Sequence, residues 1–149
     1  MPQLQPVKVF LADRHPHFRE NMRNVFRKKD IEITGESDTA EDLIDQLGVH
    51  ETDLLITAHT LHDQGADYFL PQIKEKFPNI KVLMLTLNCN KNVFLRYVNF
   101  LDGMLCKMAG KEEVLEAVFE ITRKNKLYFR VDKSREELKG HHQNGRSSA

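Results

Sequence analysis

Cysteine is scarce in this chain: its 149 residues hold two, Cys89 and Cys106. Their spacing matches no metal site, and two thiols cannot build the disulfide framework of a small secreted domain. They read as buried or half-buried reduced thiols. Net charge is also missing, because 22 basic side chains meet 22 acidic ones. That removes any whole-chain case for binding nucleic acid or an anionic membrane. No apolar run approaches the roughly 20 residues that span a bilayer. The start Met1-Pro2-Gln3-Leu4-Gln5 has neither the basic nor the apolar region of a secretion signal. A cytoplasmic protein without membrane contact is the expectation. The most telling lack is a carboxylate at position 58. The run Asp53-Leu54-Leu55-Ile56-Thr57 reads as a buried strand, and the C-terminal end of such a strand is where an open α/β sheet places its chemistry. There the chain offers Ala58, a methyl group.

What is present is a strand and helix pattern repeated five times. Val7 to Ala12 is a β-branched and aromatic run stopped at Asp13-Arg14-His15-Pro16. Phe18, Met22, Val25 and Phe26 then recur at helical spacing, with Arg19, Glu20, Arg23, Arg27 and Lys28 on the opposite face. Ile31 to Glu36 predicts a second strand, and Asp38 or Thr39 caps a helix carrying Leu43, Ile44 and Leu47. After the third strand come a helix around Tyr68, Phe69, Leu70 and Ile73, ended before Pro78, and a strand from Lys81 to Thr86. Val93, Phe94, Tyr97 and Val98 mark a fourth helix. Gly103 to Cys106 form a fifth strand, and Val114, Leu115, Val118, Phe119 and Ile121 stripe the last helix. Right-handed crossovers put helices on both faces of such a sheet. The predicted fold is therefore a flavodoxin-like (βα)5 three-layer sandwich with a parallel five-stranded sheet. Residues 1–6 form an N-terminal extension, 7–129 the domain, and 130–149 a linker or disordered tail.

These residues, in order, resemble the receiver domain of two-component response regulators, the kind found ahead of a LuxR-type DNA-binding domain. The resemblance covers about residues 7 to 128. It rests on Val9-Phe10-Leu11-Ala12-Asp13-Arg14-His15-Pro16-His17-Phe18-Arg19, on Ile31-Glu32-Ile33-Thr34-Gly35-Glu36, on Pro78 through Thr86, and on Asp102-Gly103-Met104-Leu105-Cys106-Lys107. It implies that Thr86 matches the hydroxyl that bonds a phosphoryl group after activation, and Lys107 the cation that neutralises it. Asp13 matches one acid of a metal-binding pair. Arg14 stands where the second acid is expected, and Ala58 where the phosphoacceptor aspartate is expected. Met104 replaces the usual aromatic switch residue, His62 a usual proline, and Asn99, able to take a left-handed cap, stands near a preferred glycine.

The chemistry turns these departures into a functional expectation. Mg²⁺ takes oxygen ligands, and an aspartyl phosphate needs a carboxylate nucleophile. A guanidinium about 4 Å from a divalent ion adds roughly 8 kcal/mol of repulsion at an effective dielectric near 20. The expectation is a pseudo-receiver, not an enzyme, with no cofactor and with Mg²⁺ binding lost or weak. It would act by protein contact or dimerisation through the face near residues 93–124, with Phe94, Tyr97 and Met104 as candidate anchors. The alternative is the regulatory half of a transcription factor whose DNA-binding domain lies outside this chain.

Several residues keep two readings. Arg14 either pairs with Asp13 as a built-in cation or is a solvated loop arginine. His15, His17, His59 and His62 either converge on a metal or are loop histidines. Thr86 and Lys107 either hold an inorganic anion, with the helix start around Ala109 to Lys111 close by, or are inherited without use. Asp63 is a remote candidate for residual phosphotransfer. The segment from Asn125 onward is more basic than acidic but lacks a helix-turn-helix pattern, so the domain itself is not expected to bind nucleic acid.

Overall fold

A parallel sheet in the order β2-β1-β3-β4-β5-β6 organises the chain. The structure, a computed structural model, describes residues 5–131. The strands are β1 (Val7–Ala12), β2 (Ile31–Ser37), β3 (Leu54–Thr57), β4 (Lys81–Thr86), β5 (Gly103–Cys106) and β6 (Tyr128–Phe129). The helices are α1 (Pro16–Phe26), α2 (Ala40–Leu47), α3 (Ala66–Lys76), α4 (Lys91–Tyr97) and α5 (Lys111–Arg123). Parallel neighbours cannot be joined by a tight turn, and helices supply the crossovers. Strand β1 lies between β2 and β3, so the crossovers leave it in opposite directions and open a crevice at the C-terminal ends of β1 and β3.

Two apolar layers hold the sandwich. Phe10, Leu55, Val82, Met84 and Met104 pack on the side of α2, α3 and α4. Val9, Leu11, Ile56, Leu83 and Leu105 pack on the side of α1 and α5. The alternation follows from the two-residue period of a strand, and each fully buried Leu or Ile contributes about 1.5–3 kcal/mol. Thr39 is the cap that begins α2, its hydroxyl accepting from Asp42 N at 3.2 Å.

The structure departs from the sequence reading in four places. A sixth strand, β6, extends the expected five-stranded sheet at the edge of β5. The ordered chain also runs past residue 129: Arg130 N donates to Met104 O at 2.9 Å, and Val131 packs on the core. The remaining tail, 132–149, and residues 1–4 lie outside the described residues. Third, Tyr97 and Met104 are core residues, 3% and 0% exposed. Their bulk fills the layer beneath α4, so neither is available as a surface anchor. Finally, Asn99 keeps a negative φ; among described non-glycine residues only Lys28 (φ 60) and Asn125 (φ 55) are left-handed. The end of α4 closes instead in a 3-10 turn over Val98–Phe100.

Candidate functional site

The crevice at the switch point is a pocket of about 120 Å³, lined by Arg14, His15, Ala58, His59, Thr86 and Lys107 with their loop neighbours. Backbone bonds bring its walls together, Ala58 N donating to Ala12 O at 2.9 Å and Lys107 N to Thr86 O at 3.0 Å. Behind this lining, next to Arg14 in sequence and against Lys107, is Asp13, 1% exposed. Its Oδ1 accepts from His15 N at 2.8 Å, a local turn that aims the chain into α1, where Pro16 takes the first helical position.

The other oxygen, Oδ2, faces Lys107 Nζ at 2.8 Å. The contact is an ion pair lying outside hydrogen-bond geometry, and Oδ2 accepts no hydrogen bond. The Lys107 side chain is 11% exposed, and its ammonium also sits 4.5 Å from the centre of the Phe18 ring. Lys107 is thus held by a carboxylate and an aromatic face together.

Arg14 does not join this pair. It is exposed, and among the described residues it makes no ion pair. Successive residues of an extended chain point to opposite sides, so burying Asp13 turns Arg14 outward. The long Lys107 side chain reaches across the mouth and takes the place expected for Arg14.

Thr86 is 4% exposed. Its hydroxyl accepts from Asn88 N at 3.0 Å and lies 3.5 Å from His59 Nδ1. The His59 ring leans on Tyr97, with centroids 5.6 Å apart. Burial holds His59 below the usual imidazole value; the pull of Asp67 acts the other way, and Arg96 adds to the lowering. Ala58, 7% exposed, adds no polar atom beyond its backbone.

The donor set does not suit a hard divalent cation. Asp13, the buried carboxylate behind the pocket, already contacts Lys107, and Ala58 and Arg14 offer no oxygen ligand from their side chains. The four histidines do not converge. His15 and His59 line the pocket, whereas His17 lies 3.9 Å from Glu20 and His62 3.8 Å from Asp38. Among the described residues, no group of three or more His, Cys, Asp or Glu is arranged to hold a metal ion. Asp63 is committed elsewhere: Oδ1 accepts from Ala40 N at 2.7 Å and Oδ2 from Glu41 N at 3.1 Å, capping α2. Burial opposes its ionisation, yet these backbone donors keep its carboxyl below the usual value.

Of the three proposed anchors, Phe94 alone is partly exposed, and its ring meets Phe129 edge-on at 5.2 Å. The exposed large apolar side chains in this part of the sequence are Leu87, Leu95, Met108 and Leu127. Sequence reasoning passed over them because each stands outside the apolar stripes. It also missed Phe18 as the platform for Lys107, since Phe18 fits the α1 stripe equally well.

The switch-point pocket and the five crossovers define a doubly wound α/β sandwich. The response regulator receiver domain family matches residues 9–119, and the chain belongs to that family. It is 27% identical over 115 residues to the response regulator protein VraR of Staphylococcus saprophyticus, covering 76% of this chain and 55% of that protein. VraR of Staphylococcus aureus strain Mu3 is 26% identical over 124 residues, covering 82% and 59%. The chain therefore spans a little over half the length of these relatives. The fold superposes on the non-phosphorylated receiver domain of the stress response regulator RcsB from Escherichia coli with a TM-score of 0.78, at 21% identity, covering 83% of this chain and 98% of that one. It also matches RcsB from Salmonella enterica serovar Typhimurium bound to promoter rprA in the presence of phosphomimetic BeF3-, with a TM-score of 0.75 and 21% identity over 85% of this chain and 64% of that one.

Proposed function

We propose that this receiver domain signals without accepting phosphate, by protein contact or self-association, and catalyses no reaction. One observation carries the reading: the retained acid Asp13 is buried against Lys107, while β3 ends in the methyl of Ala58. Phosphotransfer needs a carboxylate nucleophile at that strand end, and a methyl group has no lone pair to offer. The Asp13–Lys107 pair supplies internally the neutralisation that a metal would otherwise provide. The pocket is then a fixed structural device, and the signal lies in which protein the domain meets. Leu87 at the pocket, Met108 next to Lys107 in sequence and Leu95 on α4 are the apolar contacts for a protein partner. Among the described residues no helix is long and apolar enough to cross a membrane, and a cytoplasmic site of action is part of the proposal.

A second reading is favoured by the length relation to the VraR proteins. On it, this chain is the regulatory part of a transcription factor and residues beyond 131 lead toward a DNA-binding domain, as the RcsB–promoter complex suggests by analogy. Sedimentation equilibrium, run alone and then with Mg²⁺ and beryllofluoride, tests the main reading. A mass distribution indifferent to both additions supports it. A dimer that forms only with beryllofluoride refutes it.

A further inference from the structure

Residues 126–131 make more contacts than a chain end leaving a domain requires. Tyr128 N donates to Asp102 O and Arg130 N to Met104 O, both at 2.9 Å, adding β6 to the sheet. Tyr128 OH donates to Glu116 Oε1 of α5 at 2.5 Å, and the Arg130 guanidinium lies over the Tyr128 ring at 4.1 Å and 3.6 Å from Glu113. Phe129 meets Phe94 of α4. The strand edge is shaped for this: a Cβ at Gly103 would come within 2.7 Å of Tyr128 O. The segment thus bridges α4, β5 and α5.

One contact connects it to the pocket. Cys89 Sγ donates to Arg130 O at 2.8 Å, and Cys89 is 2% exposed. It follows Asn88, a pocket-lining residue whose amide is tied to the Thr86 hydroxyl at 3.0 Å. A continuous path therefore runs from Thr86 through Asn88 and Cys89 to Arg130.

We propose that β6 is a coupling strap, with Cys89 as its positioning residue, that ties the β4–α4 loop of the pocket to the chain continuing past residue 131. A change in the loop alters how firmly the strap docks, and displacement of the strap alters the loop, because coupling between two sites is reciprocal. The strap transmits to whatever follows Val131, and its docking hides the β5 edge from other strands. The proposal rests on the functional reading above only in placing the signal in contacts outside the pocket, and its test uses no phosphate analogue, so it can fail independently.

The test is amide hydrogen exchange on the full chain, comparing Arg130 and Tyr128 with Val82 and Leu83 in the core. Thr86→Val and Cys89→Ala should each raise exchange at Arg130 by roughly 5-fold, the effect of losing about one neutral hydrogen bond, with the β4 amides unchanged. Phe129→Ala should raise exchange at the Asn88 amide in return. Cys89→Ser, which keeps a donor, should restore protection at Arg130; it also guards against a Cys89→Ala chain that folds poorly. Unchanged Arg130 exchange in Thr86→Val and in Cys89→Ala overturns the proposal. So does a rise that only keeps step with Val82 and Leu83, since the strap would then open with the whole domain.

Discussion

Replacing Lys107 by methionine should destabilise the domain far more than an ordinary surface substitution. Asp13 is 1% exposed, and its Oδ2 has Lys107 Nζ as its partner at 2.8 Å. The variant keeps a side chain of similar length against Phe18 but leaves a buried carboxylate with only the His15 amide on its other oxygen. Breaking one side of a buried pair costs about 3–5 kcal/mol. The adjoining pocket can admit water to the stranded charge, which favours the lower end. With a urea slope near 2 kcal/mol per M, about 3 kcal/mol moves the midpoint by roughly 1.5 M. Asp13→Asn should cost less, because the freed ammonium can turn into the pocket and find solvent. The double variant should recover most of the loss, as neutral replacements of buried pairs are often close to neutral. Urea unfolding of the four proteins completes a double-mutant cycle. A Lys107→Met stability within about 1 kcal/mol of the parent, or single losses that simply add in the double variant, would refute this picture of the site.

Other expectations follow from individual contacts. Asp63→Ala should lower stability by about 0.5–2 kcal/mol through loss of the α2 cap, with the difference from the parent shrinking as acid protonates Asp63; thermal melts between neutral and acid pH measure both. The phenol of Tyr128 is pushed up to about 12 by burial and by its bond to Glu116. Its folded value exceeds its unfolded one, so the stability it contributes is full below the unfolded value and is lost as pH rises through the folded one. Chemical unfolding from about pH 9 to 12 should show the parent losing more than Tyr128→Phe above the ordinary tyrosine value near 10. His59 is shifted down by burial, and the sign reverses: its contribution is present above the ordinary imidazole value near 6.5 and is lost as pH falls through the folded value. The stability gap between the parent and His59→Phe should therefore move in favour of the variant on acidification, and a constant gap would contradict that environment.

Most of the fold was legible because β1, β3, β4 and β5 are mainly apolar runs bounded by polar or turn residues, while β2 opens on Ile31-Glu32-Ile33 in alternation. Val7–Ala12 and Lys81–Thr86 coincide with their observed spans. Strand β6 was not legible, because two residues, Tyr128 and Phe129, carry no periodicity; their place comes from the β5 edge and from Phe94. The residues proposed for the site do lie near one another, with Arg14, Ala58, Thr86 and Lys107 lining one crevice and Asp13 against Lys107, but their pairing was less legible. Adjacency in sequence offered Arg14 as a possible partner of Asp13, whereas strand geometry turns Arg14 away and leaves the contact to Lys107, just past the end of β5. Tyr97 and Met104 invited an interface reading because helical and strand stripes show that a residue is apolar, not which layer it fills.

The most direct test of a phosphate-independent domain is intact-mass measurement after incubation with acetyl phosphate and Mg²⁺. The account predicts one unshifted species in the parent and no labelling at Asp13 or Asp63. A phosphoryl adduct removed by hydroxylamine, as an acyl phosphate is, would contradict it.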